Sequence, residues 1–128
     1  MDYDVIVIGG GSAGYSAADT AQNAKAKVAI LDPGPLGGLC ILRGCMPSKA
    51  ILRSSEIMAL TARTEEFGLS PTTTKANLDA IIDRKNSLIG QFADYRINQL
   101  RNPRFDLIQE KGYFKSPYEI QVGSKKLS

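Results

Sequence analysis

The chain has 128 residues, 43% hydrophobic and 23% charged, with a formal net charge of +3 and no histidine. That is enough chain for one domain with one core, burying about two-thirds of its unfolded surface. The small basic excess is scattered and not interleaved with aromatics, which argues against a nucleic-acid partner, and no stretch approaches the roughly 18 apolar residues of a membrane span.

Val5-Ile6-Val7-Ile8 is a continuous β-branched run, the pattern of a buried parallel strand. Gly9-Gly10-Gly11 ends it. From Ser12 to about Ala26 the chain is rich in alanine and predicts a helix lying close on a sheet. Lys27 to Leu31 predicts a second strand, closed by Asp32-Pro33-Gly34-Pro35. This is a β-α-β unit, whose crossover is expected to be right-handed. Pro47 fits the first turn of a helix running to about Glu66, with Ile51, Met58 and Ala62 on one face and Phe67-Gly68 as the stop. A long helix is expected from about Asn77 to Arg101, ended by Asn102-Pro103. Phe105–Glu110 and Tyr118–Val122 read as strands, with turns at Lys115-Ser116-Pro117 and Val122-Gly123-Ser124. Lys125-Lys126 reads as a solvated turn. The N-terminal Met1-Asp2-Tyr3-Asp4 is acidic where a secretory signal needs positive charge, so a cytoplasmic location is expected.

Gly9-Gly10-Gly11-Ser12-Ala13-Gly14 fits G-x-G-x-x-G between a strand and a helix. The first glycine allows the turn, the second lets a pyrophosphate approach the backbone, and the third lets the helix close on the strand. The helix N-terminus then offers free N–H groups to phosphate. Asp32, at the end of the second strand, is placed to accept hydrogen bonds from a ribose. The pattern therefore points to a dinucleotide.

The only two cysteines are Cys40 and Cys45, in a reducing compartment more naturally catalytic or metal-binding than structural. Two thiolates and no histidine leave a zinc site half-built, so no metal is expected. On an unbroken helix their Cα atoms would lie about 8.6 Å apart, whereas a disulfide wants roughly 4.4–6.8 Å. A pair that forms a disulfide therefore needs a break between them, and Gly44 supplies one. If Cys45 opens a helix, the dipole favours its thiolate, with Arg43 and Lys49 adding positive charge.

Gly9 to Gly14, Asp32 and Gly37-Gly38-Leu39-Cys40 through Gly44-Cys45-Met46-Pro47-Ser48-Lys49 together resemble the N-terminal part of the class I pyridine nucleotide–disulfide oxidoreductases. The family includes dihydrolipoyl dehydrogenase, glutathione reductase and mercuric reductase. The resemblance implies an α/β, Rossmann-like FAD-binding domain with a parallel sheet, long helices and a C-terminal β-hairpin. Residues 1–128 would be an incomplete N-terminal piece of it, lacking the NAD(P) domain and the dimerisation domain. It implies that Gly9, Gly11, Ser12, Ala13 and Gly14 cradle the FAD pyrophosphate and that Asp32 holds the adenosine ribose. Gly37 and Gly38 would also touch the cofactor, with Gly112 and Tyr113 near its adenine end. Cys40 would be the interchange thiol, Cys45 the thiol against the isoalloxazine ring, and Lys49 a stabiliser of negative charge on that ring.

By the same resemblance, the intact enzyme would pass electrons from NAD(P)H through FAD to a Cys40–Cys45 disulfide, and on to a small disulfide, dithiol or Hg(II) substrate. It would be a homodimer whose partner subunit supplies a catalytic histidine. The 128-residue piece alone is expected to be inactive and to bind FAD weakly or not at all. Three positions depart from the family pattern: Asp32 where Glu is usual, Leu39 where Thr is usual, and Leu42-Arg43 where Asn-Val is common. Two other readings stay open, a flavoprotein oxidase or monooxygenase domain with incidental cysteines and a non-catalytic nucleotide-binding module.

Overall fold

A computed structural model describes residues 2–128. Strand β1 (Val5–Ile8) leads through the glycine turn into helix α1 (Ser12–Asn23) and strand β2 (Val28–Leu31). Two helices follow, α2 (Gly38–Arg43) and α3 (Cys45–Thr61), then a 3-10 turn (Thr64–Phe67) and the long helix α4 (Leu78–Leu100). Strands β3 (Asp106–Ile108), β4 (Gly112–Ser116), β5 (Glu119–Val122) and β6 (Lys125–Leu127) complete the chain. The first three strands form a parallel sheet in the order β1-β2-β3, with Val5 opposite Val28 and Ala29 opposite Asp106. The last three form an antiparallel meander, β4-β5-β6.

The apolar runs of β1 and β2 follow from this layering. Side chains alternate across a strand. Val5, Val7, Val28 and Ile30 face one way, into a cluster with Ala18, Leu36, Leu100 and Phe105. Ile6 and Leu31 face the other way, into a cluster with Ile120 and Val122 of the meander. The parallel sheet is thus covered by helices on one face and by a second sheet on the other, so neither face of β2 tolerates a polar residue. All four residues of β2 are buried. Each large aliphatic side chain enclosed this way is worth about 1.5–3 kcal/mol.

Several boundaries differ from expectation, each for a local reason. Helix α1 stops at Asn23, three residues early, because Lys25 takes a left-handed conformation (φ 65°). The Lys25 amide then donates to Gln22 O and the Ala26 amide to Ala21 O, a Schellman closure made without glycine. The helix expected from Pro47 begins at Cys45 instead. Pro47 sits third in α3, where its missing N–H costs no intrahelical bond. That helix ends at Thr61, whose hydroxyl donates back to Met58 O, and a 3-10 turn carries the chain to Gly68. The long helix runs as expected, with the Asn77 side chain capping it by accepting from the Ala80 amide at 3.1 Å. The expected hairpin is present and extends to three strands. Strand β4 runs to Ser116, so the turn expected at Lys115-Ser116-Pro117 falls instead at Pro117-Tyr118, between the paired residues Ser116 and Glu119. Lys125-Lys126 is not a turn but β6, with Lys126 opposite Gln121 and its ammonium 3.4 Å from Glu119.

Candidate functional site

The glycine turn crosses at the C-terminal ends of β1 and β2. Gly9 has φ +98°, a conformation L side chains rarely adopt, and its amide donates to Leu31 O at 2.7 Å. A Cβ on Gly14 would lie 1.8 Å from Gly9 O, so α1 approaches β1 as closely as backbone allows. The first intrahelical bond of α1 is from the Tyr15 amide to Gly11 O at 2.8 Å. Ser12, Ala13 and Gly14 therefore present N–H groups that no side chain caps, and no acid occupies the first turn. Three converging donors at a positive helix end suit an anion such as a phosphate.

Asp32 stands beside this turn. One carboxylate oxygen accepts from the Gly10 amide at 2.7 Å and the other from the Gly34 amide at 2.9 Å. The two bonds aim the carboxylate and leave each oxygen a further lone pair. A Cβ on Gly10 would sit 2.8 Å from Asp32 Oδ2, so this contact also requires a glycine. Sequence reasoning assigned Asp32 a ribose and did not foresee that it ties the two turns together.

Helix α2 was not foreseen either, and it brings the second glycine pair against the first. Gly38 (φ +79°) opens it, and a Cβ there would lie 2.6 Å from Gly11 Cα. Gly37 precedes it, buried and packed against Leu42. Cys40 lies in α2 and Cys45 is the first residue of α3, with Gly44 (φ −125°, ψ −114°) as the break between them. The interruption needed for the two sulfurs to meet is thus built into the backbone. Both cysteines are free thiols, Cys40 partly buried and Cys45 exposed. The Cys40 thiol is raised above its ordinary pKa, chiefly by its hydrogen bond with the Cys45 side chain and then by burial. The Lys49 ammonium, one turn into α3 and exposed, pulls in the opposite direction.

Gly112 opens β4, where a Cβ would meet Leu31 Cδ1 at 2.5 Å, one residue from Asp32. Tyr113 beside it is 61% exposed. The fold therefore gathers the glycine turn, Asp32, Gly37-Gly38 and Gly112 around the C-terminal ends of β1 and β2, where open parallel sheets bind ligands, and α2, which carries Cys40, starts there. No helix among the described residues is long and apolar enough to cross a membrane.

Residues 3–125 match the family model described as pyridine nucleotide-disulphide oxidoreductase. A mercuric reductase of Staphylococcus aureus is 36% identical over 128 residues, covering 99% of this chain and 23% of that protein. A dihydrolipoyl dehydrogenase of Chlamydia muridarum is 32% identical over 120 residues, covering 94% of this chain and 26% of the relative. A solved structure, the Cu(II) complex of the HOCl-induced flavoprotein disulfide reductase RclA from Escherichia coli, superposes with a TM-score of 0.73 at 22% identity over 95% of this chain and 25% of that one. At that identity the likeness is one of fold. The chain spans about a quarter of the length of these proteins.

Proposed function

Because the chain belongs to the pyridine nucleotide-disulphide oxidoreductase family, we propose that it forms the cofactor-and-dithiol part of an FAD-dependent disulfide reductase, residues 1–128 being part of the FAD-binding domain. The observation that carries this reading is the seating of Cys40 in the helix that the glycine pair opens against the dinucleotide turn, with Cys45 heading the next helix just across Gly44. The uncapped N–H groups of Ser12, Ala13 and Gly14 suit the pyrophosphate. Asp32 keeps lone pairs for the ribose, Gly37, Gly38 and Gly112 lie near the same strand ends, and the exposed Tyr113 follows Gly112 in β4. FAD bound there supplies two-electron chemistry, with NAD(P)H as the donor held by another part of the enzyme.

The chain's own residues then carry the exchange. Cys40, as thiolate, attacks one sulfur of the substrate disulfide. That S–S bond breaks, and one half leaves as a thiol after taking a proton. Cys45 attacks Cys40 of the mixed disulfide, the second thiol leaves, and the Cys40–Cys45 disulfide holds the oxidising equivalents. Lys49 lends positive charge at the reduced pair. The reverse sequence oxidises a dithiol. The substrate class is a small disulfide, a dithiol such as dihydrolipoamide, or a thiophilic ion such as Hg(II), and the working enzyme is a cytoplasmic homodimer.

The test is an anaerobic absorption spectrum of the chain with added FAD, before and after two electrons are supplied. The expected result is weak binding and a new long-wavelength band in the reduced sample, absent from Cys45→Ser. Saturable FAD binding with the same spectrum in wild type and Cys45→Ser would overturn the pairing of cofactor and thiol.

A further inference from the structure

Beside Asp32 lies a cation with no role so far. Arg43, the last residue of α2, lines a shallow cavity of about 180 Å³ together with Asp32, Pro35, Gly38, Leu39 and Leu42. Its side chain is exposed, and among the described residues it is in no ion pair. Asp32, which lines the same cavity, is held by the Gly10 and Gly34 amides instead. Leu39 stands four residues before Arg43, on the same face of α2. It is 75% exposed, next to the Gly38–Gly11 contact. An unpaired guanidinium and an exposed leucine thus share one face, in a cavity lined by the acid and by Gly38, the residue that touches Gly11 of the glycine turn.

A ligand with an apolar ring and an anionic group satisfies both at once. Resting on the nucleotide reading above, we infer that Arg43 grips the diphosphate of the adenine dinucleotide. It approaches from the end of α2 and supplies the polar contact that Leu39, lacking a hydroxyl, does not make. A guanidinium binds phosphate through two parallel N–H donors, a geometry an ammonium does not reproduce. The plainer role for Arg43 is to complement the carbonyl end of α2. That role makes no distinction between nucleotides with and without phosphate, and the experiment uses the difference.

Adenosine, AMP and ADP are titrated into the 128-residue chain by calorimetry, for wild type, Arg43→Ala, Arg43→Lys, Asp32→Ala and the double variant Leu39→Thr/Arg43→Ala. For Arg43→Ala, ADP affinity is expected to fall by roughly tenfold, the scale of one charge-assisted hydrogen-bonded pair, with adenosine unchanged. Lysine should fall between, and Leu39→Thr should restore part of the loss. Asp32→Ala should weaken all three ligands. If Asp32→Ala weakens binding while Arg43→Ala does not, or if Arg43→Ala weakens adenosine and ADP equally, the assignment of Arg43 is wrong and the nucleotide reading stands. If the wild-type chain binds adenosine but gains nothing from the phosphates of AMP and ADP, or binds none of the three, the assignment of Arg43 is wrong, while the nucleotide reading still rests on the FAD spectrum above.

Discussion

Gly14→Ala is expected to cost about 3 kcal/mol or more, at the upper end of what overpacking does, out of a total stability of roughly 5–15 kcal/mol. Alanine would ordinarily help, because it favours a helix interior over glycine by about 1 kcal/mol. Here the new methyl would lie 1.8 Å from Gly9 O and 3.2 Å from Val7 Cγ1, where non-bonded atoms settle at about 3.5 Å. The neighbour that must yield is backbone, in the turn that sets the α1–β1 crossing, so no rotamer change relieves it. Gly90→Ala is the matched control. Gly90 lies exposed in α4 with nothing within 4 Å of its would-be Cβ, and there the substitution should stabilise by about 0.5–1 kcal/mol. Urea midpoints of the three proteins settle the matter. A Gly14→Ala midpoint equal to wild type would mean that α1 does not sit against the glycine turn as described.

In the enzyme that carries this chain, Cys40→Ser and Cys45→Ser should each lower disulfide-exchange turnover by about a thousandfold or more, and the double variant should be little worse. The exchange needs one thiol to attack and another to resolve, so losing either ends it. Non-additivity is the signature of two residues acting as one unit. A single variant within threefold of wild type would instead favour incidental cysteines. The raised pKa of Cys40 adds a pH signature. Its largest cause is the hydrogen bond with Cys45, so Cys45→Ala should move the alkylation profile of Cys40 to lower pH. The raised value means the fold favours the protonated thiol. That contribution to stability is fully present below the unfolded pKa and is lost as pH rises through the folded one. An unmoved alkylation profile in Cys45→Ala would mean the two thiols do not touch.

How much of this was legible in the sequence depended on which physical signal each segment carried. The apolar runs of β1 and β2 announced strands because burial on both faces leaves no room for polar residues. Helix α4 announced itself by periodicity and by Asn77 as its cap. Helix α2 did not, since six residues with glycine at the start carry too few turns to show a period. Strands β4 and β6 were hidden because their outward residues, Tyr113, Phe114, Lys125 and Lys126, are exposed and follow no clean alternation. The end of α1 was masked by a lysine in the conformation glycine usually takes. At the site, the spacing of the glycines was readable because close backbone contact demands them, and that of the cysteines because a reversible disulfide demands two thiols with a break between them. The tie from Asp32 to two backbone amides, and the face shared by Leu39 and Arg43, depend on how separate turns fold onto each other. No local pattern encodes them.

Burial is distributed unevenly, and the two cysteines straddle the division. All four residues of β2 are buried, whereas α3 buries none of its seventeen residues and α4 buries only Leu100. Amide hydrogens in β2 should therefore exchange only when the whole chain unfolds, while those of α3 exchange through a smaller opening in which the helix lifts away. Cys40 belongs to α2, anchored through buried Ile41, and Cys45 belongs to the helix that opens, with Gly44 as the joint. A bond between the two sulfurs would fasten the loosely held helix to the firmly held frame. The oxidised protein would then exchange its α3 amides more slowly than the reduced one, so the redox state of the pair would also set how readily that helix breathes.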